Sequence, residues 1–146
     1  MTIGIITAVI AFAGLYFAVR HNKQKARLEA YPKRIVVFRC TEEFLARAWT
    51  HNYDYQPALL ATFYHCKREA EFLFDKKLAA YLDSLYEGVE DYFHLANKLE
   101  IEGDDLEFEE RSALQHRVWA SQHWLGQENQ NLRKRFAKYL DLSAVR

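Results

Sequence analysis

The chain has 146 residues, half of them apolar and 15% aromatic, which is material for one well-packed core. Twenty Lys and Arg balance twenty Asp and Glu, and a net charge of zero argues against a general nucleic-acid binder. Five glycines and two prolines are too few for the turns of an all-β sandwich, and two cysteines, Cys40 and Cys66, are too few for a disulfide framework or a CxxC zinc site.

The first element in chain order is an uncharged run over residues 2–19, TIGIITAVIAFAGLYFAV. As a helix rising ~1.5 Å per residue it spans about 27 Å, close to the hydrocarbon thickness of a bilayer. A cleaved leader carries its basic residues before the apolar run; here Arg20, Lys23, Lys25 and Arg27 follow it. That order predicts a retained single-span anchor, residues 1–19, with its N-terminus outside and its C-terminal flank in the cytoplasm. Gly4, Ala8, Ala11, Leu15 and Ala18 repeat at 4-3-4-3 spacing. The small residues Gly4, Ala8, Ala11 and Ala18 on that face predict self-association of the anchor, because small side chains let helices approach closely in lipid.

Residues 20–32 form a basic juxtamembrane helix or linker, which Pro32 kinks or restarts. Residues 33–146 then read as a helical domain with four amphipathic stretches. In the first, residues 33–49, the apolar stripe is Val37, Phe38, Phe44, Leu45, Ala48 and Trp49. THNYDYQP breaks it, with Asp54 before Pro57 as a start signal. The second, residues 57–74, carries Leu59, Phe63, Cys66, Ala70 and Leu73; the third, residues 76–99, carries Leu78, Leu82, Leu85, Val89, Tyr92, Ala96 and Leu99. Continuing the second stripe by four and then three lands on Lys77 and Ala80, so the phase breaks at Asp75, a good N-cap residue. A tight turn there is the preferred reading, and one continuous helix that switches faces is the alternative. EIEGDDLEFEE, residues 100–110, reads as a loop. The fourth helix, residues 109–140, buries Leu114, Val118, Leu125, Leu132, Phe136 and Tyr139, with GQENQN as a weak or kinked point. The expected fold is all-α: a transmembrane helix followed by an antiparallel up-down four-helix bundle.

An up-down path gathers the basic segments at one end. Lys76 and Lys77 at the turn, and Arg133, Lys134 and Arg135 near the C-terminus, join Arg20, Lys23, Lys25 and Arg27 as expected contacts with anionic lipid. The acidic segment 100–110 points the other way.

LEAYPKRIVVFRCTEEFL, EAEFLFDKKLAAYLDSLYE and RFAKYLDLS together resemble a loosely defined group of small bacterial proteins with an N-terminal membrane helix and a helical domain. The similarity covers residues 28–143. It implies a bacterial inner-membrane setting and an all-α fold, and it transfers no functional residue.

Few motifs carry chemistry. Arg111 and His116 have the R-x4-H spacing of the helical ribonucleases called HEPN, in which the His acts as general acid or base and the Arg binds phosphate; that family's pattern has Asn, Asp or His where Ser112 stands here. His65, His94 and His116 lie at similar heights, but the last two point away from the core and no pair of Glu-x-x-His motifs exists, so no metal site is expected. His116, Trp119 and His123 share a strip of the fourth helix off the core stripe, a candidate partner patch. The reading is a membrane-tethered scaffold or interaction module whose partners are the bilayer and a protein, either another chain or its own copy. No cofactor and no specific nucleic acid are expected, and the sequence identifies no small-molecule substrate. The alternative is a membrane-bound HEPN-like ribonuclease using Arg111 and His116.

Overall fold

The computed structural model describes residues 2–50 and 56–140, with side chains at 18–23, 25, 26, 28–50 and 56–140. Four helices are described: α1 (Thr2–Thr50), α2 (Pro57–Leu73), α3 (Lys76–Glu102) and α4 (Phe108–Leu140). Among the described residues no helix is long and apolar enough to cross a membrane. The side chains of the expected association face at Gly4, Ala8 and Ala11 lie outside the described residues; Ala18 is exposed.

Consecutive helices run antiparallel, as crossed pairs of contacts show. Val37 and Phe44 on α1 meet Cys66 and Phe63 on α2. Lys67 and Tyr64 on α2 meet Asp83 and Tyr86 on α3. Tyr81 and Gly88 on α3 meet Glu128 and Trp124 on α4. Phe38 and Glu42 on α1 meet Phe136 and Arg133 on α4, which closes the ring. Each helix packs mainly on its two neighbours in this up-down-up-down square.

The 4-3 stripes are the seams. Leu78, Leu82, Leu85, Val89, Tyr92 and Ala96 are buried on α3, as are Leu59, Phe63, Cys66 and Ala70 on α2. At the centre, the rings of Phe44 and Phe63 stack at 3.8 Å with planes 7° apart. Buried Thr41 donates its hydroxyl to the Val37 carbonyl at 2.8 Å, so this buried hydroxyl is satisfied within its own helix. Leu60, Phe93 and Leu95 are buried beside the stripes. A helix wedged between two neighbours buries a wider face than one 4-3 row, which is why the periodicity omits them.

Several boundaries differ from the sequence reading. Pro32 lies inside α1, which runs unbroken from the apolar run into the bundle. Proline removes one backbone donor and crowds the carbonyl four residues earlier, that of Leu28. Leu28 and Pro32 are both exposed, so water can serve that carbonyl, and the packed stretch beyond Pro32 holds the helix together. The acidic segment is only partly a loop: α3 continues through Glu102, the Gly103 N–H bonds the Leu99 carbonyl at 3.0 Å, and α4 begins at Phe108. GQENQN does not interrupt α4, and Gly126 sits against the Trp49 indole. Trp49 itself is 46% exposed, not core, while Phe38, Leu73, Leu99 and Tyr139 are half-buried. The start signal at Asp54 lies outside the described residues; Gln56 holds the α2 N-cap position without a side-chain cap bond, and Pro57 fills the first turn.

Residues 57–99 form two helices. Asp75 caps α3, accepting from the Leu78 N–H at 3.0 Å.

Two substitutions test this packing. Leu85 is fully buried, so Leu85→Ala should cost about 2–5 kcal/mol in chemical denaturation, against about 0.5 kcal/mol or less for Lys76→Ala on the surface. A Cβ at Gly88 would stand 2.3 Å from the Trp124 ring, whereas one at Gly126 would meet Trp49 at 3.4 Å, an ordinary contact. Gly88→Ala should therefore destabilise by about 1–3 kcal/mol despite alanine's better helix propensity, and Gly126→Ala should be neutral or gain up to about 1 kcal/mol.

Candidate functional site: the basic end of the bundle

The packed part of α1 begins at Arg34. Its Nε donates to the Leu73 carbonyl at 2.9 Å and a terminal nitrogen donates to the Tyr139 carbonyl at 3.5 Å, while the guanidinium lies 5.6 Å from the Phe74 ring centre. One cation thus closes the last carbonyls of two neighbouring helices, where the backbone has acceptors to spare. Every described side chain from residue 18 to residue 29 is exposed, so α1 projects from this end of the bundle.

Asp75 joins the same end to α4. Besides capping α3, its carboxylate accepts from the Tyr139 hydroxyl and pairs with Lys138 at 2.9 Å. The Tyr139 hydrogen bond, the backbone bond from Leu78 and Lys138 together hold its carboxyl far below the usual carboxylate range. Burial, and then the bond to Asp75, pushes the Tyr139 phenol up; Tyr139, and then Asp75, pushes Lys138 up.

Between α3 and α4, just above this clamp, lies a groove of about 700 Å³. Its cationic lining is Lys77, Lys134, Arg135 and Lys138; Tyr81, Tyr139 and Ala80 form much of the rest. Arg135 is fixed in place. Its guanidinium lies 4.9 Å from the Tyr81 ring centre and 4.0 Å from a Glu128 oxygen, and Tyr81 donates its hydroxyl to the other Glu128 oxygen at 2.8 Å. Burial, with the carboxylate of Glu128 beside it, pushes the Tyr81 phenol well above its ordinary value, so it stays a donor at any physiological pH. Lys77 and Lys134 have no carboxylate partner among the described residues.

The expected basic residues divide three ways. Arg20, Lys23 and Lys25 are exposed on the projecting part of α1, and the side chain of Arg27 lies outside the described residues. Lys76, Lys77, Lys134 and Arg135 gather at the α3–α4 side of the basic end. Arg133 turns the other way, to Glu42 of α1 at 3.5 Å. Lys138, in the same basic run that the sequence places at this end, also lines the groove; Tyr81 and Asn131 were not among the expected residues, and their part depends on how α3 faces α4.

The same end also exposes apolar surface. Phe72 is 86% exposed and Val36 61%, and with Lys33, Glu69 and Leu73 they line a shallow cavity of about 380 Å³ between α1 and α2. At the far end Phe108 and Ile101 are equally open, but Glu100, Glu102, Asp104, Asp105, Glu107, Glu109 and Glu110 surround them.

The other candidates lie on the far half. Trp119 is 66% exposed and stacks on His123, ring centres 5.8 Å apart, and His123 is held by Gln127 at 3.1 Å. His116 is exposed on the same strip. Arg111 pairs with Asp104 at 3.0 Å, and neither Arg111 nor His116 lines the cavities at Phe63, at Tyr81 or at Phe72. His65 and His94 are exposed too, and among the described residues no three His, Cys, Asp or Glu side chains converge as a metal would require. Cys40 and Cys66, free thiols 26 positions apart in sequence, neighbour each other across the α1–α2 seam, where the Cys66 thiol donates to the Val37 carbonyl at 3.8 Å; their mutual interaction lowers the Cys40 thiol and, with burial, raises that of Cys66. Spacing alone gives no hint of that contact.

No family model, curated protein or solved structure matches the chain. The functional reading therefore rests on the residues themselves.

The Asp75 clamp predicts a pH signature. A carboxyl whose pKa is depressed on folding adds stability that is fully present above its unfolded value and is lost as pH falls through the folded one. Asp75→Asn keeps a capping acceptor and removes the charge. The stability difference between wild type and Asp75→Asn, read from urea midpoints, should be constant near neutrality and shrink as pH falls below about 4. A difference that does not change with pH would mean that Asp75 acts through the cap alone.

Proposed function

We propose that the chain is a membrane-tethered helical module that holds a protein partner, or a second copy of itself, on the cytoplasmic side of a bacterial inner membrane. The observation that carries this reading is the uncharged run over residues 2–19, followed at once by Arg20, Lys23, Lys25 and Arg27 and continuous with a helix that enters a folded bundle. Apolar length and the position of the positive charges are the two features that decide insertion and orientation.

The continuity of α1 refines the lipid-contact reading. Residues 20–32 add about 20 Å of helix at ~1.5 Å per residue between the apolar run and the bundle. Screening at physiological salt acts over ~8 Å. The headgroup contacts are then Arg20, Lys23, Lys25 and Arg27, and α1 is a spacer. Lys76, Lys77, Arg133, Lys134 and Arg135 stand off in solution at the near end of the bundle. Trp119, flanked by His116 and His123, is the proposed partner contact: a large exposed aromatic side chain stacked on its neighbour presents rigid apolar area.

The test is membrane fractionation with a topology probe. Expressed in a bacterium, the full chain should stay with membranes through an alkaline carbonate wash, and deletion of residues 2–19 should release a folded bundle. A cysteine placed on the exposed face of α2 by Ala61→Cys should react with a membrane-impermeant thiol reagent only after the cells are permeabilised. Extraction of the full chain by carbonate, or labelling of Ala61→Cys in intact cells, would overturn the reading.

A further inference from the structure

We infer that the groove between α3 and α4 is a binding site for a phosphate group, carried by a soluble molecule and not by the bilayer. The groove itself stands on its own residues; its assignment to a soluble ligand rests on the spacer reading of α1.

The argument begins with charge. Lys77, Lys134, Arg135 and Lys138 line one groove, and its lining contains no carboxylate. Two carboxylates adjoin it, Asp75 on Lys138 and Glu128 on Arg135, which leaves two of the four cations uncompensated. Lys134 and Lys138 are four apart on one helix, a like-charge spacing that costs stability, and Lys77 faces them from α3. Nothing in the packing of the bundle asks for that cluster, since all four side chains lie outside the core. An anion in the groove would relieve the repulsion.

Preorganisation points the same way. Arg135 is stacked on Tyr81 and tethered to Glu128, whose own side chain is only 13% exposed. Lys138 is held by Asp75 and lies 4.4 Å from the Tyr139 ring centre. Two donors are thus ordered before any ligand arrives, which removes part of the entropy cost of binding. A planar guanidinium among several ammonium groups suits the tetrahedral oxygens of a phosphate, which accept several charge-assisted hydrogen bonds at once. The small Ala80 side chain leaves the floor open, and about 700 Å³ is room for a phosphorylated small molecule.

The experiment is thermal unfolding of the full chain in neutral detergent micelles, with inorganic pyrophosphate as soluble probe and dihexanoyl phosphatidic acid as lipid probe. Chloride at matched ionic strength and dihexanoyl phosphatidylcholine are the respective controls. Pyrophosphate should raise the midpoint by about 2–5 °C over chloride. The double variant Lys77→Ala/Lys134→Ala should lose that shift. Arg68→Gln/Lys98→Gln, which removes the same charge from surface pairs elsewhere, should keep it. Protection by pyrophosphate, with or without protection by phosphatidic acid, supports a soluble phosphate ligand. Protection by phosphatidic acid alone overturns the soluble assignment, and equal protection by phosphatidylcholine discounts the lipid arm as a chain effect. No protection by either phosphate, or equal loss in both double variants, overturns the site. None of these results bears on carbonate extraction, so failure of the groove and failure of the membrane tether are told apart.

Discussion

The bundle depends on what happens at Asp75. Two residues separate α2 from α3, so the chain must stop one helix, reverse and start the next almost at once. The Asp75 carboxylate makes this possible by accepting the Leu78 N–H, one of the donors that the first turn of any helix leaves over. Because it also receives Tyr139 and Lys138, the group that starts α3 fixes the end of α4. Arg34 performs the complementary task with the opposite charge, closing surplus carbonyls of α2 and α4. Four helices are thereby locked in register at one end by one anion and one cation.

That end is also where the positive charge collects. An up-down path places the start of α3 and the end of α4 side by side, and both segments are rich in Lys and Arg. The far end carries seven acids around the α3–α4 connection, so the bundle is polarised although the net charge of the whole chain is zero. The segregation is not simply a solvated surface. At the basic end Arg135 and Lys138 are tied to Glu128 and Asp75, and the groove between them is shaped by the small Ala80 and the ring of Tyr81. At the acidic end Arg111 pairs with Asp104, so the arginine that the R-x4-H spacing singles out already has a carboxylate neighbour.

An unbroken α1 changes how the parts relate. A flexible hinge at Pro32 would let the bundle lie against a bilayer. A continuous helix instead transmits the direction of its first half to the packed half, because each peptide beyond Pro32 is still bonded within the helix. In the proposed tether the basic end would face the bilayer across a gap, so the charge next to the apolar run and the charge in the groove would meet different partners.

Much of this was legible in the sequence. The 4-3 stripes fixed the number of helices and most of the core, since burying one face of a helix demands that period whatever its neighbours are. The phase slip at Asp75 located the turn, because an N-cap is a local interaction made with the next three residues. Local signals failed where a partner outvoted them: Pro32 and GQENQN both look like breaks, yet packing of α1 on α2 and α4, and of α4 on α1 and α3, keeps both in helices. The bond from the Cys66 thiol to the Val37 carbonyl, the seating of Trp124 over Gly88, and the union of Tyr81 and Asn131 with the lysines of α4 in one groove had no trace in spacing. Each joins residues from different helices, and the rotation of one helix against another is set by how whole faces interlock, a property that no single helix encodes.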